Sequence, residues 1–126
     1  MRYIPQWEVE EVWDKAAPML QLAVSRQTAF NIEGLKTMLL RGEMHLWVHQ
    51  SAAMTTQIQT FQLERVCVIV LCGGTDLSEW ADGAWATLLK YARSFGCAAI
   101  MVYGRSGWAK VRPEFEITDT VLRYKL

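Results

Sequence analysis

The sequence predicts a mixed α/β fold: an antiparallel sheet in the front half, then one parallel βαβ crossover built from strand 66–71, helix 77–95 and strand 98–103. Three observations carry this expectation. "VCVIVLC" is a continuous apolar run rich in β-branched residues, as expected of a strand buried on both faces. Leu77, Trp80, Ala84, Leu88, Tyr91, Ala92 and Phe95 then fall on one helical stripe at three- and four-residue steps. "AAIMVY" follows as a second buried strand, and a strand, helix and strand over this length place the two strands side by side and parallel.

The remaining elements follow in chain order. "RYI" reads as a short first strand ending at Pro5. From Trp7 the pattern is helical, with Val9, Val12, Trp13 and Ala16 on one stripe, and Pro18 is expected to end or kink it, with "MLQLAVS" continuing as a second piece. Asn31 is the expected N-cap of a helix over "IEGLKTMLL", closed by Gly42. After Gly42 the period changes, and "MHLWVHQ" and "AMTTQIQTF" read as an antiparallel pair turning near Ser51. Asp76 is the expected N-cap of the long helix, with Glu79 three residues on as in a capping box, and Gly96 ends it. A helical turn over "SGWAKV" and a last strand, "TDTVLRYKL", complete the expectation.

Composition bounds the function. The 126 residues are enough for one domain and too few for two with proper cores. Thirteen basic residues balance thirteen acidic ones, which argues against a nucleic-acid surface. No apolar run approaches the ~18 residues of a membrane-spanning helix, and the opening "MRYIPQWEVEEVW" has no apolar stretch of the signal-peptide kind. Cys67, Cys72 and Cys97 lie in or beside apolar runs, an odd count that predicts free thiols in a reducing, cytoplasmic setting.

The element order β-α-α-β-β-β-α-β-α-β resembles the GNAT superfamily of N-acetyltransferases over nearly the whole chain. Four segments, "RGEMHLWVHQ", the Gly73-Gly74 turn, "YARSFGCAAI" and "GRSGWAKV", resemble the small GNAT-like proteins encoded by bacteriophages. The resemblance implies an acyl-CoA cofactor such as acetyl-CoA, its pantetheine arm between strands 66–71 and 98–103. It also implies a pyrophosphate on backbone N–H groups at the start of the helix, so that Cys72, Gly73, Gly74, Thr75, Asp76 and Leu77 form the cofactor turn, with Arg105 at the same sheet edge. For a phage-encoded chain the setting is the host cytoplasm or the virion.

The residues depart from that family's pattern. The family's spaced glycines are replaced by adjacent ones followed by "TDLSEW". An N-capping Asp76 would occupy the N–H groups a phosphate needs, Asp76 and Glu79 would repel it, and no Lys or Arg lies between Gly73 and Gly83. The turn therefore reads first as structural. Family members commonly use a tyrosine on the short helix after the fifth strand as catalytic acid, but "RSGWAKVRPEF" has none. Tyr103 is the candidate stand-in acid and Glu64 the candidate base, each weighed against a packing or solvated role. Arg105 would bind an anion or fork onto Asp76. Cys72 is weighed as a nucleophile against a small buried residue, and the second reading leads because no basic neighbour lowers its pKa.

Other constellations carry less. His45 and His49 are four apart in an expected strand, about 13 Å, too far to share a metal ion. There is no Gly-x-Gly-x-x-Gly and only one crossover, which excludes a dinucleotide-binding domain. Of six tryptophans, Trp13, Trp80 and Trp108 suit a core, whereas the pattern does not place Trp7, Trp47 and Trp85, the last lying off the main apolar stripe of its helix. An exposed tryptophan or the edge of the sheet would serve as contact for another protein or a second copy. Two functions follow from this reading: an acyl-CoA-dependent N-acetyltransferase, or a catalytically silent protein of the same fold that acts through a protein partner.

Overall fold

The computed structural model describes residues 1–25, 29–102, 114–118 and 122–126. In chain order the elements are β1 (Arg2–Ile4), a 3-10 turn (Gln6–Glu8), α1 (Val9–Val24), α2 (Ile32–Leu40), β2 (His45–Val48), β3 (Ala52–Thr60), β4 (Arg65–Gly74), α3 (Leu77–Ser94) and β5 (Ala99–Val102). The strands form one sheet in the order β1-β2-β3-β4-β5. Every pair is antiparallel except β4 with β5, which is the expected parallel crossover.

Local chemistry explains the boundaries. Asn31 caps α2 as expected, its Oδ1 accepting from the Gly34 N–H at 2.7 Å. Gly42 (φ +75°) and Gly96 (φ +71°) end α2 and α3 in the left-handed conformation. In both, the two N–H groups past the helix return to its last carbonyls: Gly42 to Leu39 and Glu43 to Met38, then Gly96 to Arg93 and Cys97 to Ala92. Pro18 departs from expectation, because α1 runs through it without interruption. Pro18 is exposed, and so is Asp14, whose carbonyl loses its helical partner to the missing N–H, so this turn of α1 lies on the solvent side.

The sheet is covered on both sides. α1 and α2 pack Trp13, Ala16, Leu20, Leu35 and Leu39 against Leu46, Val48, Ala53 and Leu71. α3 lays Leu88 and Ala92 over Trp47, Met54, Cys67 and Ile69 on the opposite face. β4 is therefore buried on both sides, as its unbroken apolar run required.

One irregularity matters for everything at the C-terminal end of β4. Thr55 pairs with Leu71 but Thr56 pairs with Ile69, so Val70 is an extra, bulged residue. A one-residue insertion inverts the alternation of faces. Cys67 and Ile69 point toward α3, while Leu71 belongs to the α1 side. Gly73 consequently lies beneath α1.

Two further expectations change. Gly73 and Gly74 are the last residues of β4, paired with Ala53 and Ala52, so the strand runs beyond 66–71 and the turn itself is Thr75-Asp76. Residues 122–126 form no strand, and Leu122, Tyr124 and Leu126 stay exposed rather than laid against a neighbour. The expected helical turn over 106–111 lies outside the described residues, as do 119–121 of the expected last strand and Trp108.

Candidate functional site

The candidate site is the C-terminal end of β4 and the turn into α3, the edge at which α/β sheets take their ligands. Its glycines are explained by the fold. A Cβ on Gly73 would lie 2.1 Å from the carbonyl oxygen of Met19 in α1, a backbone contact that cannot move aside cheaply. A Cβ on Gly74, whose φ is +138°, would lie 2.2 Å from the Ser51 carbonyl oxygen and 2.5 Å from Ala52 Cα. Both approaches are made by the chain itself. The adjacent glycines let α1 and the β2–β3 turn close on β4, which supports the structural reading of this pair.

The turn is clamped from two sides. The Thr75 N–H donates to the Ser51 carbonyl at 2.8 Å. The Thr75 carbonyl accepts from Ser51 Oγ at 3.1 Å and from the Trp80 indole N–H at 2.8 Å. Ser51 and Trp80 thus fix the turn, roles that no local pattern in the sequence announces. Asp76 follows in the left-handed region (φ 58°, ψ 42°), the one described non-glycine residue with positive φ.

That conformation corrects the expected cap. The Asp76 carboxylate makes no hydrogen bond to the helix. It accepts instead from Thr75 Oγ1 at 3.2 Å, while the Asp76 backbone carbonyl accepts the Glu79 N–H at 2.9 Å. The left-handed backbone swings the side chain off the helix axis, and the leading N–H groups of α3, at Leu77 and Ser78, carry no side-chain cap. An argument against an anion here is thereby removed. The acidic surroundings remain, with Asp76, Glu79 and Asp82 in or beside the first turns of α3.

The strand edge beside this turn is equally informative. Among the described residues the parallel ladder between β4 and β5 covers Val66↔Ala99 to Ile69↔Val102, and β4 itself continues to Gly74. Successive N–H groups of a strand point to opposite edges. With the Thr75 N–H on Ser51, those of Gly74 and Cys72 fall on the β5 side, past the last described parallel pair.

The other candidates separate. Cys72 packs half-buried beside Trp80 and Ala84, and burial pushes its thiol up to about 11, which suits a packing residue and not a nucleophile. Leu77 is 40% exposed on the first turn of α3. Glu64 is exposed in the hairpin before β4, at the opposite end of that strand from Gly74, and its carbonyl closes the hairpin by accepting the Phe61 N–H at 2.7 Å. Tyr103 and Arg105 lie outside the described residues. Among the described residues no group of three His, Cys, Asp or Glu side chains is placed to hold a metal ion, and no helix is long and apolar enough to cross a membrane.

The tryptophans also sort themselves. Trp13 and Trp80 are buried as expected, and Trp47 is completely so. Trp85 packs edge-on against Phe115, with ring centroids 5.4 Å apart. Trp7 is 81% exposed.

Neither known family profiles nor curated protein sequences match this chain. Solved structures do. An aminoglycoside acetyltransferase from an uncultured soil metagenomic sample superposes over 99% of this chain and 94% of its own, with TM-score 0.69 and 10% identity. A GNAT family acetyltransferase of Staphylococcus aureus covers 99% and 96%, with TM-score 0.65 and 11% identity. A Thermus thermophilus protein covers 100% and 97%, with TM-score 0.66 and 15% identity. The class defined is therefore the GNAT fold, shared with acetyltransferases across the whole described architecture. At these identities the likeness establishes the fold alone.

Proposed function

We propose that this chain is an acyl-CoA-binding, N-acetyltransferase-like protein of the GNAT fold. The observation that carries the reading is the start of α3, which follows directly on β4 and whose leading N–H groups carry no side-chain cap. The leading N–H groups of α3 at Leu77 and Ser78 suit a pyrophosphate. When bound, the cofactor would supply a thioester from which an acetyl group passes to an amine. The backbone fits such a group, while the acidic side chains of the turn weaken the fit. Arg105, three residues past the end of β5 in sequence, is the candidate counter-charge.

A second reading is favoured by one observation, the 81% exposure of Trp7 on the surface before α1. In that reading the protein is catalytically silent and acts by contact with another protein, as a virion component or a host-directed factor. The phage origin belongs to both readings and rests on the resemblance of "RGEMHLWVHQ", the Gly73-Gly74 turn, "YARSFGCAAI" and "GRSGWAKV", above all the stretch from "GC" to "GRSGW".

Calorimetric titration with acetyl-CoA, beside free pantetheine, separates the two. Micromolar binding of acetyl-CoA, with far weaker binding of pantetheine, supports the first reading. Ser78 is exposed in the first turn of α3, so Ser78→Glu adds a carboxylate that favours the helix and opposes a pyrophosphate. That variant should keep the fold and weaken acetyl-CoA. No heat and no melting shift at millimolar acetyl-CoA would sink the acyl-CoA reading.

A further inference from the structure

The hairpin between β3 and β4 carries side chains that a turn does not need. β3 ends at Thr60 and β4 begins at Arg65, and the Phe61 N–H donates to the Glu64 carbonyl at 2.7 Å to close the loop. Such loops favour Gly, Asn, Asp and Ser, whose backbone or side chain serves the turn. This one holds Phe61 and Leu63. Every residue from Thr60 to Arg65 is exposed, Leu63 to 94% and Phe61 to 50%. Neither joins an apolar cluster of the described residues, so packing gives no account of them.

The end of α3 lies beside this loop. Arg65 donates from Nη1 to the Phe95 carbonyl at 2.8 Å and from Nε to Thr60 Oγ1 at 3.2 Å. Phe95 is itself 39% exposed, so another large apolar side chain opens to solvent at the same end of the molecule. Both acceptors of Arg65 are neutral, and neither cancels its charge. Lys90 and Arg93 are exposed near the end of α3 and form no ion pair among the described residues. These cations border the apolar tip, against the carboxylate of Glu64 in the loop, while Arg41 and Glu43 beyond α2 offset one another. We propose that the tip is a contact for an anionic lipid surface, with Phe61, Leu63 and Phe95 entering the interface and Arg65, Lys90 and Arg93 on the headgroups.

A protein partner is the poorer fit. A stable protein interface buries about 800 Å² on each side in matched outline, more than one hairpin loop and one helix end present. A fluid lipid interface accepts a few protruding side chains of any outline, and its negative surface attracts a basic rim. No described helix is long and apolar enough to cross a bilayer, and the contact is with its surface alone. Glu64 and Gly74 stand at opposite ends of β4, so a protein held by the tip keeps its Thr75-Asp76 turn away from the lipid. Lipid contact and acyl-CoA binding therefore use separate ends of the molecule.

Sedimentation of the intact protein with vesicles provides the test. Wild type should pellet with vesicles of equal parts phosphatidylcholine and phosphatidylglycerol, bind pure phosphatidylcholine far less, and be released as salt rises. Leu63→Asp removes the most protruding apolar side chain of the loop, and should weaken partition about tenfold without moving the melting temperature. Arg93→Gln should weaken it about fivefold and flatten the salt dependence. No pelleting with the anionic vesicles, equal pelleting of Leu63→Asp and wild type, or equal binding to both lipids would each overturn the proposal. Analytical ultracentrifugation without lipid reads the remaining occupant: self-association that Leu63→Asp abolishes would give the tip to a second copy and overturn it as well.

Discussion

Gly73→Ala is the sharpest perturbation of the candidate site, because the two explanations of the glycine pair predict different outcomes. If Gly73 were kept so that a phosphate can approach, a methyl group would cost binding and leave the fold alone. The geometry says otherwise, since the new Cβ would sit 2.1 Å from the Met19 carbonyl oxygen and 3.2 Å from its carbon. A carbon–oxygen contact needs roughly 3.3 Å, so α1 must withdraw by about 1 Å, a gap that forfeits a quarter to a half of each affected dispersion contact. α1 carries Val9, Trp13, Ala16, Leu20 and Val24 into the core, and no flexible side chain at the clash can absorb the shift. The expected loss is at the upper end of overpacking penalties, about 3 kcal/mol. For a chain of this length that is a fall in melting temperature of roughly 10–15 °C. Thermal unfolding by circular dichroism reads it, with Gly83→Ala as control. A Cβ at Gly83 meets nothing within 4 Å, and that change inside α3 should stabilise by about 0.5–1 kcal/mol. A Gly73→Ala protein melting within a few degrees of wild type would refute the packing account and return the glycine to the ligand.

Pro18→Ala restores an N–H inside an unbroken helix at an exposed position, and urea unfolding should show a gain of about 1–3 kcal/mol; no gain would mean that the helix is already relieved at that turn. Asn31→Ala removes the acceptor of the Gly34 N–H and should lower stability by about 1 kcal/mol in the same assay, while Asn31→Asp should be nearly neutral. Burial pushes Cys72 up to about 11 and Cys67 to about 12, so at pH 8 only a small fraction of either is thiolate. Both should alkylate far more slowly in the native protein than after unfolding, and faster labelling as pH rises toward 11 is expected of Cys72; prompt native labelling at pH 8 would contradict the buried placement.

What could be read from the sequence was whatever local periodicity and terminal chemistry decide. The α3 stripe, the Asn31 cap, the closures at Gly42 and Gly96 and the parallel crossover all follow from patterns within a few residues of one another. The bulge at Val70 left no trace, because both faces of β4 are apolar and an inverted alternation looks the same in "VCVIVLC". Everything downstream of that bulge was hidden with it, including the placement of Gly73 under Met19, a residue far away in sequence. The complete burial of Trp47 depends on α3 arriving over β2 and β3, which no pattern within its own strand records. Pro18 misled because propensity weighs the missing hydrogen bond without knowing which side of the helix faces water.

Asp76 shows how one backbone angle changes the balance between the two functions. In an extended N-cap conformation its carboxylate would have sealed the helix start; at φ 58° it leaves the leading N–H groups of α3 without a side-chain cap, at a conformational cost of about 1–2 kcal/mol. A turn that served packing alone would lose nothing by replacing this residue with glycine. Asp76→Gly should therefore raise stability by about 0.5–1 kcal/mol, the relief of the left-handed strain less the entropy of a glycine in the unfolded chain. The same change removes a carboxylate from the path of a pyrophosphate. If acyl-CoA binds at this turn, its affinity should rise together with the melting temperature. If stability rises and acetyl-CoA still produces no heat, the open helix start belongs to the fold and not to a cofactor, and the partner-binding reading gains. A protein that is destabilised by the glycine would show that Asp76 contributes more through Thr75 Oγ1 than its left-handed backbone costs, and the strain account of this turn would fail.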